Sequence, residues 1–255
     1  MCLILFAYQV HPVYPLIVAA NRDEFFNRPT APAHCWEDDP EIIAGRDLEK
    51  MGTWMGVTTF GRLSALTNYR NPRESVEGKR SRGELVTGAL KTDNLQGFME
   101  LLEQNKEAYP GYNLLAGDVN ELYYYSNRGD GLHKLAPGIY GMSNHLLNTD
   151  WPKVKKGKES LAKIIGSNQE NLVEKLFEIL FDEERYPDEA LPKTGVPLEM
   201  ERMLSSLFIK SPDYGTRSST VLCMSDEEIM YIERVFTGDK AEEKRFHFPY
   251  GEVEQ

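Results

Sequence analysis

The first 25 residues of the chain constrain its fold more than any other stretch. They hold two apolar runs, CLILFAYQV and PLIVAANRD, and the HPVYP segment that joins them carries two prolines. This order predicts a buried β-hairpin that turns at the prolines. In an antiparallel hairpin the start of the first strand lies beside the end of the second. We therefore expect Cys2 to lie next to Asn21, Arg22 and Asp23.

Groups of strands and groups of helices alternate along the rest of the chain. Further strands are predicted at TWMGVTTFG, RLSALTNYR, YNLLAGDV, ELYYYSN and GLHKLA, and later at SSTVLCMS, IMYIERVF and RFHFP. Helices are predicted from a capping box at 81–84 toward Leu90, across NLQGFMELLEQNKEAY, and at 154–165, 172–181 and 198–208. This grouping favours an α+β fold with two packed sheets flanked by helices. A length of 255 residues suits one domain spanning 1–255.

Charge and cysteine content narrow the classes of partner. The net charge is −11 and no polybasic run is present, so neither nucleic-acid binding nor stable membrane insertion is expected. The three cysteines, Cys2, Cys35 and Cys223, show no CxxC or zinc-like spacing. We therefore expect a cytoplasmic protein that needs no metal or other cofactor and acts on a small molecule.

Cys2 stands directly behind the initiator methionine. Cysteine is small enough for methionine aminopeptidase to remove Met1, which would leave Cys2 with a free α-amine beside its thiol. One residue would then supply both the nucleophile and its base. A buried, inert cysteine is the competing interpretation of this position alone.

Several motifs, in order, resemble one family. NRDE followed by RPTAP, then GTWMGV, LTNYRNP, SRGELV, YGMSNHLLNTDWPKV and YGTRSSTVL, are similar to motifs of the NRDE family, also called the transport and Golgi organisation 2 family. That family is distantly similar to N-terminal-nucleophile hydrolases of the penicillin V acylase and bile salt hydrolase group. The resemblance implies a four-layer αββα sandwich.

The same resemblance implies a set of site residues. Those hydrolases use an N-terminal cysteine, an arginine and an aspartate on the second strand, two asparagines and a late arginine. The matching positions are Cys2, Arg22, Asp23, Asn68, Asn144 and Arg217. One departure is that Arg22 and Asp23 are adjacent here, so strand alternation turns them to opposite faces unless a bulge or turn intervenes.

A basic segment follows Asn68. NYRNPRESVEGKRSRGE carries five basic and three acidic side chains in a protein of net charge −11. Arg70, Arg73 and Arg80 are therefore predicted to bind an anionic group of the ligand. A solvated loop whose charges pair with one another is the alternative.

The residues and the resemblance together lead to two hypotheses of function. The first is an N-terminal-cysteine amidohydrolase acting on a nonpeptide C–N or related acyl bond of a small molecule. The second is a non-catalytic carrier or chaperone of haem or of an acyl-type lipid on the same fold, since a fold does not determine a function.

Overall fold

The strands form two antiparallel sheets in the computed structural model, which describes residues 2–166, 170–238 and 240–250. Met1, whose removal would free the α-amine of Cys2, lies outside the described residues. The first sheet has the strand order β10-β1-β2-β11-β12-β13, in which the strands are β1 (Cys2–Tyr8), β2 (Leu16–Phe25), β10 (Gly138–Met142), β11 (Tyr214–Met224), β12 (Glu228–Thr237) and β13 (Lys240–Pro249).

The second sheet contains the middle of the chain. Its order is β3-β4-β5-β6-β7-β8-β9, with β3 (Thr30–Trp36), β4 (Asp39–Asp47), β5 (Met55–Thr58), β6 (Leu63–Asn68), β7 (Tyr112–Gly117), β8 (Leu122–Ser126) and β9 (Gly131–Lys134). The α-helices are α1 (Gly83–Lys91), α2 (Leu95–Gln104), α3 (Pro152–Ile165), α4 (Leu172–Leu180) and α5 (Leu198–Met203).

Three apolar clusters hold four layers together. The largest lies between the sheets and includes Ile4 and Phe6 of the first strand. A second cluster packs α3 and α4 onto the outer face of the first sheet, where Leu3 and Leu5 point. A third packs α1 and α2 onto the second sheet. The arrangement is the αββα sandwich that the sequence predicted, and burial of both faces explains why β1 is apolar at every position.

Some local predictions differ from the structure. The Ser81 capping box is wrong, because α1 begins at Gly83 without a side-chain cap and the Glu84 carboxylate instead pairs with Arg80. The helix predicted at 198–208 ends at Met203. β3, β4 and β10 were not predicted; β3 is an edge strand that contains Pro32, which removes one ladder donor.

Candidate active site

Strand pairing places Cys2 in a row that crosses the first sheet. Cys2 is paired with Arg22, Arg22 with Ser218, and Ser218 with Val235. Directly paired residues in antiparallel strands point to the same face. All four line one cavity of about 730 Å³ that opens between the two sheets, a volume that suits a small molecule. The row forms the floor of this cavity, which we call the central cavity.

Asp23 lies on the other face of β2, as alternation requires. The Asn21 amide donates hydrogen bonds to the carbonyls of Leu180 and Leu207 on the helical side of the sheet, and Asp23 is in phase with Asn21. The carboxylate of Asp23 is buried and accepts a hydrogen bond from the Thr216 hydroxyl at 2.7 Å. At the end of the strand Asp23 also reaches the edge of the central cavity. Burial raises the pKa of Asp23.

Arg217 occupies a bulge. In the register between β2 and β11, Asp23 pairs with Thr216 and Arg22 with Ser218, which leaves Arg217 as an extra residue. Its guanidinium donates to the backbone carbonyls of Phe25 and Arg28 and lines the central cavity. Burial, reinforced by the nearby charge of Arg22, lowers the pKa of Arg217. The bulge thus directs a cation to the cavity wall.

The Cys2 thiol is shielded and has mixed electrostatic surroundings. The residue is 8% exposed, and burial raises the pKa of its thiol. The negative charge of Asp23 raises this pKa further, whereas the positive charge of Arg22 and a hydrogen bond from the Asp23 backbone N–H lower it. A thiolate therefore needs a further base to form readily at neutral pH.

The two asparagines are joined to each other and, through a serine, to Cys2. Asn68, at the end of β6, lines the central cavity. Asn144 is fully buried behind it and donates from Nδ2 to the Asn68 carbonyl at 3.0 Å. The Ser143 hydroxyl donates to the Cys2 carbonyl at 3.1 Å and also lies 3.3 Å from Asn144 Oδ1. Asn144 thus adjoins the site without lining the cavity.

The predicted ligand-binding arginines separate into two groups. Arg80 lines the central cavity. Arg73 is exposed and does not line it. Arg70 does not line it either, because its buried guanidinium pairs with Glu201 at 2.8 Å and lies over the ring of Trp151. The structure therefore places only one of the three where a ligand in the cavity could meet it.

Several cavity residues were not singled out from the sequence. Arg82 lines the cavity with its guanidinium held by the Gly111 carbonyl, and burial lowers its pKa. Glu233 is a buried carboxyl that accepts the Ala33 N–H at 2.6 Å, and burial raises its pKa. A charge count along the chain marked the segment of Arg82, but no local pattern distinguishes Glu233 within its strand.

Across residues 2–166, 170–238 and 240–250, no three His, Cys, Asp or Glu side chains are grouped so that they could hold a metal ion. Over the same described ranges, no helix combines the length and the apolar character needed to cross a bilayer.

Comparison with known sequences identifies close relatives along most of the chain. The family described as Transport and Golgi organisation 2 matches residues 1–238. The Transport and Golgi organization protein 2 homolog of Bos taurus is 38% identical, over 93% of this chain and 94% of its own. The homolog of Homo sapiens is 37% identical over 92% of each chain.

Comparison with solved structures shows the fold. The Caenorhabditis elegans ortholog of N-acylethanolamine-hydrolyzing acid amidase aligns with a TM-score of 0.52 at 11% identity, covering 87% of this chain and 92% of that one. The C2A variant of conjugated bile acid hydrolase from Clostridium perfringens gives 0.52 at 10% identity, with coverage of 96% and 92%. Both likenesses support the αββα sandwich fold expected from the motifs.

Proposed function

The chain belongs to the Transport and Golgi organisation 2 family, and on that premise we propose that it is an N-terminal-cysteine amidohydrolase. The substrate is a small molecule with a nonpeptide C–N or related acyl bond. One observation carries the proposal: Cys2 lies on the floor of the central cavity, with Asp23, Asn68 and Arg217 also lining it. Residues so distant in sequence share this cavity only because the two sheets bring them together.

The chemistry begins with removal of Met1. The freed α-amine of Cys2, held by Asp23, takes the thiol proton, and the thiolate attacks the acyl carbon. The Asn68 amide donates to the developing oxyanion, supported from behind by Asn144. As the C–N bond breaks, the α-ammonium returns its proton to the leaving amine. Water then attacks the thioester, releases the acid and restores the thiol.

The cavity favours an anionic substrate. Lys79, Arg80, Arg82 and Arg217 all line it, in a protein whose net charge is −11. Part of this charge is already paired, because Arg80 contacts Glu84 at 2.6 Å. A carboxylate or phosphate on the substrate would compete for these donors and would be steered toward the cavity. We place this activity in the cytoplasm, where the thiols stay reduced.

Acyl-enzyme formation tests the proposal. Protein whose intact mass shows loss of Met1 is mixed with a chromogenic thioester or anilide that carries an anionic acyl group. We expect a burst of product stoichiometric with enzyme and a mass increase of one acyl group on Cys2. Cys2→Ala is the matched control and should give neither. Absence of both signals from processed wild-type protein would contradict the proposal.

A carrier function is the second candidate, and the state of Cys2 favours it. Burial raises the pKa of this thiol, so the described surroundings alone do not activate it. A cavity of about 730 Å³ would hold an acyl chain or part of a haem without any reaction. Titration with haem, followed by its visible absorption band, and with a fluorescent acyl lipid would detect such binding. Binding that survives in Cys2→Ala, with no burst in wild type, would favour the carrier.

A further inference from the structure

Lys153 is a buried cation on the helical side of the sheet. It is 2% exposed, lies in the first turn of α3, and donates from Nζ to the Leu204 carbonyl at 2.9 Å. Burial disfavours an ammonium, and the positive end of a helix dipole disfavours it again. A residue that conflicts with two local preferences marks a site where function or strain outweighs stability.

A short segment, 204–209, links Lys153 to Asp23. Lys153 binds the first carbonyl of this segment, and the Asn21 side chain binds another carbonyl within it. The last N–H of the segment donates to the Thr216 hydroxyl, and that hydroxyl donates to Asp23 at 2.7 Å. The segment therefore runs along the face of β2 on which Asp23 lies, with Lys153 against its start.

The other charges packed around Lys153 balance one another. Arg70 and Glu201 form their own pair at 2.8 Å, with side chains 5% and 4% exposed. Arg22 lies on the cavity face with Cys2, opposite the helical face. Tyr214 also faces Asp23, and burial raises the pKa of its phenol, so it stays neutral. Lys153 on the helical side and Arg22 on the cavity side both favour the ionised form of Asp23, and Lys153 is the larger of these two effects.

The pKa shifts of Lys153 and Asp23 agree with an attraction between the two charges. Burial lowers the pKa of Lys153 to about 8, and the negative charge of Asp23 opposes that fall, so the ammonium is retained at pH 7. Burial raises the pKa of Asp23, and the charge of Lys153 opposes that rise. The two groups therefore favour each other's ionised forms.

We infer that Lys153 is a positioning residue that keeps Asp23 ionised, so that Asp23 can hold the α-amine of Cys2 where it accepts the thiol proton. The inference rests on the proposed function, since it assigns the partner of a group in that mechanism. An ionised Asp23 raises the pKa of the Cys2 thiol by its own charge, but it also stabilises the ammonium form of the amine beside that thiol, and the inference requires this second effect to be the larger.

The test measures the rate at which iodoacetamide labels Cys2 as a function of pH, in protein that has lost Met1. Lys153→Met removes the charge at similar length. We expect the midpoint of the profile to rise by about one unit and the rate at pH 7 to fall about tenfold. Lys153→Arg should retain the wild-type profile below pH 8. Lys155→Met, an exposed lysine on the same helix, should leave it unchanged.

A second background separates positioning from a general structural role. Because Lys153 acts through Asp23, Lys153→Met should have no further effect on the labelling profile of Asp23→Asn. An additive effect in that background, or an unchanged profile for Lys153→Met alone, would overturn the inference. Wild-type Cys2 that labels no faster than Cys35 would instead refute the proposed function itself.

A third comparison applies should Lys153→Met not fold. Wild-type labelling should show an inflection near pH 8, where Lys153 loses its proton. Lys153→Arg should lack that inflection, since arginine stays ionised throughout this range. An inflection that persists unchanged in Lys153→Arg would overturn the inference, and so would its absence from wild type.

Discussion

Glu201→Ala should destabilise the protein severely, because it removes one partner of a buried ion pair. Arg70 and Glu201 meet at 2.8 Å, where two unit charges attract by about 6 kcal/mol at an effective dielectric constant of about 20. Desolvation offsets much of that attraction in the intact pair. With Glu201 removed, the Arg70 cation stays buried without its partner, which costs about 3–5 kcal/mol. The other carboxylate oxygen of Glu201 also accepts from the N–H and hydroxyl of Thr194, and both bonds are lost.

Urea denaturation followed by tryptophan fluorescence measures the effect. We expect the free energy of unfolding to fall by about 3–5 kcal/mol, and the midpoint of thermal unfolding by about 6–20 °C. Glu199→Ala, on the same helix with a carboxylate 80% exposed, should leave both unchanged. The double variant Arg70→Met with Glu201→Met should recover most of the loss, since no unpaired charge remains. A loss below about 1 kcal/mol for Glu201→Ala would mean that Arg70 finds water, and the burial argument would fail.

Three further predictions concern the central cavity. In processed native protein, iodoacetamide should label Cys2 faster than Cys223, because burial raises the pKa of the Cys223 thiol to about 12. Peptide mapping after partial labelling measures the two rates, and equal rates would argue against activation of Cys2. Arg80→Glu should weaken binding of an anionic acyl compound several-fold at low salt, while Arg73→Glu, outside the cavity, should not. Calorimetric titration at two salt concentrations measures the affinity of each variant, and equal effects of the two substitutions would exclude a cavity role for Arg80. Burial raises the pKa of Glu233, so the folded state holds this proton more tightly than the unfolded state; the stability that results is full below the unfolded pKa and is lost as pH rises through the folded pKa. Glu233→Gln should therefore lose less stability than wild type between pH 4 and pH 8, as measured by urea titrations at each pH. An identical pH dependence in the two proteins would show that the carboxyl ionises freely.

The N-terminal hairpin could be predicted because its signals are local. Two apolar runs and two prolines define β1 and β2, and alternation along β2 correctly assigns Arg22 and Asp23 to opposite faces. The bulge that turns Arg217 toward the cavity is a property of pairing between strands almost 200 residues apart, which no local pattern encodes.

Long-range pairing also explains what the sequence could not assign. Arg70 lies in a basic segment and was predicted to bind the ligand. Its guanidinium instead pairs with Glu201, which is 131 positions away in the sequence. Lys153 precedes the helix predicted at 154–165 and was not singled out from the sequence. Its burial depends on where the segment 204–209 crosses the sheet. β3 was missed because its sequence, TAPAHCW, lacks the apolar run of a central strand.

The strand order of the first sheet has a consequence for how the chain folds during synthesis. β1 and β2 leave the ribosome first, yet their sheet neighbours are β10 and β11, which begin at Gly138 and Tyr214. The apolar face that α3 and α4 cover is likewise exposed until those helices are made. The second sheet can cover the inner face of this hairpin earlier, but the hairpin has no sheet neighbour until β10 is made and lacks the second one until β11 is made. Such late, non-local pairing slows folding and prolongs the exposure of apolar strands to aggregation.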